Sequence, residues 1–365
     1  IQMYRSGEDP VFYPDRNVQE DFFRRWAPQT RVNVNMNGGT EKVSYFINVG
    51  YVGQSGQFRT EPKSVLGYDP SYKMNRYNFR SNLDFKLAKG LKLSVNLASY
   101  LQKTNSPQCT DLFGGDVKAM TGDLFAYVMS TPPTAPGPVT VAGYTTPDGT
   151  DVPANEVVSS IYSSDAKSNK YGDINRRGYQ ESTNMNLNSS AVLDWNLGFI
   201  TEGLSTKLLV AFDALTTTTL TASRLFDLYQ AAPAREAGEK NYYKAISTNT
   251  QNVIGAPRRS NSSNYYLNLQ YSINYARSFG KHDVGAMVLL QRDNWQTAAP
   301  DLPYNMLGLS ARATYSYDNR YLAEVNIGYN GSEQFARKNR FGLFPAVSVG
   351  WVVSNESFLR NNEVL

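Results

Sequence analysis

Among the side chains of this 365-residue sequence, the ones best suited to meet a ligand are tyrosines set in long polar stretches. Tyr127, Tyr162, Tyr171, Tyr229, Tyr242 and Tyr243 present flat apolar rings on which a sugar stacks, while neighbouring amides and carboxylates bind its hydroxyls. The same rings serve a peptide equally well, and each also suits packing of its own stretch. Bond-making chemistry has fewer candidates. His282 is the one histidine and falls in an expected tight turn beside Asp283, so a Ser-His-Asp arrangement would have to be built at a bare sheet end. Cys109 stands alone, which excludes an internal disulfide and a multi-cysteine metal site. Gly114-Gly115-Asp116 lacks the Lys and Ser of a phosphate-cradling loop. Asp69 and Asp148 sit in loops, and glycosidase chemistry needs two carboxylates at a fixed separation. The expectation is a protein that is not an enzyme, with no cofactor and no metal.

The elements around these residues are ten-residue segments in which apolar and polar side chains alternate. Tyr265, Leu267, Leu269, Tyr271, Ile273 and Tyr275 oppose Asn264, Asn268, Gln270, Ser272 and Asn274. Successive strand side chains point to opposite faces, so such a segment has one greasy and one wet face. About eleven segments follow this rule. Their connections alternate. Short turns are expected at Gly38-Gly39, whose glycines supply positive backbone angles, and at Lys89-Gly90, Gly198 to Gly203, Gly280-Lys281-His282-Asp283 and Asp318-Asn319-Arg320. Long connections run over about 53–74, 102–182, 216–262, 293–305 and 331–341. The second is rich in Pro, Gly, Ser and Thr, as a large surface loop should be.

Composition narrows the class. Charged residues make up 19% and aromatics 13%, with 25 Tyr and a mean hydropathy of −0.45. No stretch approaches the roughly twenty apolar residues of a transmembrane helix, so a membrane would be crossed by strands closed into a barrel. The net charge of +4 is scattered, which gives nucleic acid no footprint. A soluble β-sandwich also alternates, but its strands run five or six residues, and these run about nine to thirteen. Tyr at both ends of an apolar face, as in Tyr265 and Tyr275 or Tyr321 and Tyr329, fits girdles at two membrane interfaces. The polar faces, rich in Asn and Ser, suit a hydrated lumen, with Arg80, Asp84, Lys86, Arg312 and Glu324 facing inward. The fold class expected is therefore all-β, a transmembrane antiparallel β-barrel in the cell outer membrane, with the long loops extracellular.

Particular residues add a resemblance. Met36-Asn37-Gly38-Gly39-Thr40-Glu41-Lys42-Val43-Ser44-Tyr45-Phe46 resembles the GGTEK hairpin of SusC/RagA-type TonB-dependent transporters of Bacteroidetes, and Tyr51 to Gly56 resembles its continuation. Asn75 to Asp84 is similar to that family's next strand, and Phe344 to Trp351 with Asn355-Glu356-Ser357-Phe358 to a late strand and its turn. The resemblance covers about residues 20 to 361 in order. It implies a barrel of about 22 strands around an N-terminal plug. It also implies TonB-dependent import of oligosaccharides or oligopeptides, with a SusD-like surface lipoprotein as lid and a TonB-ExbB-ExbD complex as partner. About eleven strands are half of such a barrel, no plug is present, and the sequence starts without Met or signal peptide, so an internal segment is expected. A passive porin-like channel and a soluble all-β glycan-binding surface protein are the alternatives.

Overall fold

The computed structural model describes residues 1–160, 169–234, 236, 238–249, 252–298 and 302–359. Its main body is one eleven-stranded antiparallel sheet. In chain order its strands are β1 (Gln29–Gly39), β2 (Val43–Ser55), β3 (Lys73–Ala88), β4 (Leu91–Pro107), β6 (Gly178–Asn196) and β7 (Leu204–Ser223). They continue with β10 (Arg258–Phe279), β11 (His282–Gln296), β12 (Tyr304–Tyr317), β13 (Tyr321–Ser332) and β14 (Phe341–Trp351). A second, three-stranded sheet joins β5 (Val157–Val158), β8 (Leu228–Ala232) and β9 (Tyr242–Ser247). Among the described residues are six short α-helices: α1 (Gln2–Ser6), α2 (Val18–Phe22), α3 (Lys63–Leu66), α4 (Thr110–Phe113), α5 (Val117–Ser130) and α6 (Lys170–Asn175).

In the main sheet each strand pairs with the next one along, up and down. Register keeps the parity of the side chains constant from strand to strand. Val34 lies opposite Val49, Val49 opposite Phe79, and Leu83 opposite Val95. The row continues through Leu193 and Leu208, Leu208 and Tyr271, Tyr271 and Leu290, Leu290 and Leu309, and Leu309 and Tyr329. One face is thus an unbroken apolar surface. Its residues stay open, as at Val49 (54%), Val288 (48%) and Val347 (72%). Among the described residues no second sheet covers it, which removes the soluble sandwich, because a sandwich buries that face. An apolar face of this extent matches the lipid-facing side of a transmembrane barrel wall.

Aromatic rings border the apolar face at both ends. Towards the long connections, Tyr51 packs on Tyr77 at 5.3 Å and Tyr329 on Phe341 at 5.1 Å. Towards the short turns stand Tyr317 and Tyr321, 6.4 Å apart, with Trp351 paired to Tyr321. Eight to ten residues separate the two borders on a strand, about 25 Å once strand tilt is allowed for. β1 and β14 pair on one side only. Unpaired edges are not tolerated in lipid, so a closed wall needs strands beyond these eleven.

Turn chemistry follows the backbone. Lys89-Gly90 closes β3 to β4 with Gly90 at φ 76°, and Asp318 and Asn319 take φ 55° and 52° between β12 and β13. Asp and Asn tolerate that left-handed region better than other non-glycine residues. The Gly38-Gly39 expectation is corrected. Both glycines belong to β1 and neither has a positive φ. A Cβ at Gly38 would lie 2.7 Å from the Tyr45 hydroxyl, so the glycine makes room for a cross-strand ring. His282 is likewise the first residue of β11, paired with Phe279 and Tyr317, not a turn residue.

The strands also outrun the alternation. β4 reaches Pro107, β7 reaches Ser223 and β10 begins at Arg258, leaving connections of 108–177 and 224–257. The added lengths, such as Thr216 to Thr219 and Ser260 to Ser263, are polar on both faces. Outside the apolar belt nothing requires a greasy side, so the period of two disappears there.

Face identity makes a testable prediction. Leu269→Arg, on the apolar face midway along β10, should cost the complete protein about 2–4 kcal/mol in a bilayer, and Gln270→Arg, its polar-face neighbour, under about 1 kcal/mol. Urea unfolding in lipid vesicles, read by heat-modifiable gel mobility, measures both; equal costs would invert the assignment of faces.

Candidate functional site

Cavities of about 990, 710 and 360 Å³ lie among the side chains of the polar face. Register sets its amides and hydroxyls side by side. Asn48 donates to Asn35 at 2.5 Å, Asn188 to Asp213 at 2.9 Å, Thr217 to Asn184 at 2.8 Å, and Asn268 to Asp293 at 2.6 Å. The expected inward charges are on this face. Asp84 accepts from Ser94 at 2.5 Å and pairs with Lys92 at 3.2 Å, and Arg312 pairs with Glu324 at 2.6 Å. Arg80 has the same parity but no ion pair among the described residues. Water-bathed polar walls of this kind bind hydroxyls and charges and repel hydrocarbon.

The long connections fold into two small cores. Phe22, Phe58, Leu124, Val128 and Ile174 centre the first, drawing on the N-terminal stretch, the 56–72 connection, α5 and α6. Phe12, Val152, Val158, Ala231 and Tyr243 centre the second. β8 pairs with both β5 and β9, so it stitches the two longest connections to each other. Polar ties reinforce the assembly. Glu61 accepts from the Tyr171 hydroxyl and from Arg176, each at 2.8 Å, and Tyr68 donates to the Asn175 carbonyl at 2.7 Å. Asp116 caps α5 by accepting from the Lys118 and Ala119 amides at 2.8 and 3.3 Å.

Five of the six candidate tyrosines are placed by the structure; Tyr162 lies outside the described residues. Tyr127 and Tyr171 pack against the first core, with ring centroids 5.5 and 6.2 Å from Phe22. Tyr229 packs against the second core, and Tyr243 is inside it, 2% exposed and 5.0 Å from Phe12. Burial pushes all four of these phenols up. Tyr242 points to the opposite face of β9 from Tyr243 and belongs to neither core. It is thus the described candidate whose ring a loop core has not taken.

Phe12 and Phe22, which thread the N-terminal stretch through both cores at 0% and 1% exposure, were not among the expected residues. Their signal was faint: aromatics in a segment with no alternation. Arg31 and Arg76, on the polar face, were also missed, although Arg76 shares the parity of Arg80 on one strand.

The reactive groups are occupied elsewhere. His282 Nδ1 lies 2.6 Å from the Tyr315 hydroxyl, with Tyr317 also against the ring. Cys109 is fully buried and its thiol is pushed up to about 11 by desolvation, then by Asp116, which opposes thiolate formation. No helix among the described residues is long and apolar enough to cross a membrane.

No family profile matches the sequence. The chain is 23% identical over 377 aligned positions to the TonB-dependent receptor P26 of Formosa agariphila, covering 97% of this chain and 33% of that protein. It is 28% identical over 153 positions to the TonB-dependent receptor SusC of Bacteroides thetaiotaomicron, covering 32% of this chain and 15% of that protein. The chain therefore spans about a third of the relative that it matches nearly throughout. In fold it is similar to the RagAB peptide importer in its closed-closed state, with a TM-score of 0.61 and 16% identity over 98% of this chain and 39% of that one. The RagAB peptide transporter gives 0.59 at 16% identity over 94% and 36%.

The second loop core titrates in a defined window. Burial holds the Tyr243 phenol neutral up to about 12, against 10.0 when solvated. The unfolded loop therefore ionises first, so the stability that Tyr243 contributes is whole below pH 10 and is lost between pH 10 and 12. In the complete protein, the difference in tyrosinate absorbance between wild type and Tyr243→Phe should titrate near 12, and a step near 10 would show an open ring. Tyr243→Ala should cost that core about 3 kcal/mol and expose 224–257 to limited proteolysis.

Proposed function

We propose that this chain is SusC-like barrel wall of a TonB-dependent receptor in the outer membrane, and that the whole protein imports oligosaccharides or oligopeptides across that membrane. The short turns face the periplasm and the long connections the exterior. A SusD-like lipoprotein closes over the long-loop end, a plug fills the lumen, and a TonB-ExbB-ExbD complex supplies the pull. Cargo is held between lid, loops and the polar wall, with Tyr242 the described loop ring left to stack on it. Work is done by conformational coupling: cargo favours one lid and plug arrangement, and that preference is the energy transmitted.

The observation that carries this reading is the folding of the long connections into two joined cores. A rim with its own buried centres presents a fixed outline for a lid to seat on, whereas a porin needs loops that narrow a permanently open channel. The apolar belt and the polar wall are common to both classes and do not separate them.

In a host strain, deletion of TonB should abolish cargo uptake by the complete protein, and the protein purified from its membrane should bring a lipoprotein partner with it. Steady ion conductance by the purified complete protein in a planar bilayer, unchanged by loss of TonB, would establish the passive channel instead.

A further inference from the structure

Three arginines share one cavity on the polar face without a carboxylate in its lining. The cavity, about 710 Å³, is walled by Arg31 of β1, Arg76 and Arg80 of β3, and amides that include Asn33, Asn78 and Asn186. Register explains the cluster. Arg31 lies across from Val52, which lies across from Arg76, and Arg80 sits one inward-facing step beyond Asn78. Arg31 and Arg76 are thus two strands apart, about 10 Å, and Arg76 and Arg80 about 13 Å apart along one strand. Gly50 and Ala98 project little into the space between them.

Some other cations on this face carry a carboxylate partner, as Lys92 does with Asp84 and Arg312 with Glu324. Among the described residues Arg31, Arg76 and Arg80 have no ion pair. Asp84, four residues along β3 from Arg80, is paired with Lys92 at 3.2 Å, and Asp213, three strands away on the row of Arg80, accepts from Asn188 at 2.9 Å. Arg76 is held in place nonetheless: its guanidinium stacks on the Tyr100 ring at 4.1 Å and its Nε donates to Asn78 Oδ1 at 2.9 Å. A fixed planar fork with its other donors free matches an oxyanion bidentately. Three like charges in one cavity also focus a positive potential that only an anion relieves.

We propose that this cavity binds the oxyanion groups of an anionic oligomeric cargo, sulfate or carboxylate, with Arg31, Arg76 and Arg80 taking the charges and the asparagine amides the hydroxyls between them. The site itself stands on the wall; that its ligand is cargo rests on the import reading. The spacing of about 10–13 Å suits charges on successive units of an oligomer rather than a single small ion.

The test uses the complete protein in detergent and calorimetric titration with sucrose octasulfate, with mellitate as the carboxylate probe and sucrose as the neutral control. Binding of either anion but not sucrose is expected, weakening as salt rises. R76Q/R80Q should weaken it about tenfold or more, R76K/R80K should retain part of it, and K281Q, at the short-turn end where Lys281 pairs with Asp318, should leave it unchanged. Heat-modifiable mobility reports whether each variant is folded, and the Lys pair serves if the Gln pair is not. Sulfate alone, carboxylate alone or both binding names the group recognised. No anion binding by wild type, as when a plug segment fills the cavity, overturns the proposal, as does binding indifferent to R76Q/R80Q and R76K/R80K. Anion binding without TonB-dependent uptake would sink the import reading and leave the site standing.

Discussion

Lipid offers no hydrogen bonds, and this structure depends on that. Every backbone amide and carbonyl inside the belt has to be paired strand to strand, and eleven strands answer with continuous antiparallel ladders. Pairing alone does not place the side chains. A slip of one residue between two neighbours would turn an entire strand over, sending Asn and Arg into hydrocarbon and Leu and Val into the lumen. The registers avoid this at all ten interfaces of the main sheet, so one apolar and one polar surface run from β1 to β14. A single parity choice thereby sets both the contact with the membrane and the chemistry of the wall.

Outside the belt the constraint changes. Water can satisfy the backbone there, and the strands lose their alternation before they end. Order at the long-loop end comes instead from small buried cores and from charges placed where water is scarce. Phe12, Tyr144 and Tyr243 form a ring cluster with centroids 4.7–5.4 Å apart, and Glu61 gathers Tyr171 and Arg176 from another connection. Stitching by β8 makes these loops a second folded layer on top of the wall. At the opposite end the same economy operates through Glu356, which accepts from Tyr321, Trp351 and Arg320 at 2.6, 3.1 and 2.9 Å. That carboxylate ties the interfacial aromatics to the turn beyond β14.

Much of the wall was legible in the sequence. The period of two in stretches such as Tyr265 to Tyr275 located all eleven strands, because burying one face against lipid imposes the pattern locally, residue by residue. Turn positions were legible where positive φ demanded Gly, Asp or Asn, as at Gly90, Asp318 and Asn319. Gly38 misled because a glycine that clears space for a cross-strand ring looks in sequence like one that turns the chain. His282 misled for a related reason, since a two-residue turn and a four-residue turn share the same flanking residues.

By itself, then, the sequence determined the strands, their faces and the likeness to a transporter barrel, since each follows from contacts a residue makes with solvent, lipid or its immediate neighbours. Only the tertiary structure decided which tyrosines are spent in loop cores and which ring is left over. It alone brought Arg31 beside Arg76 and Arg80 across 45 to 49 residues of chain. Those outcomes depend on lateral register and on packing between connections distant in sequence, and no local period encodes either.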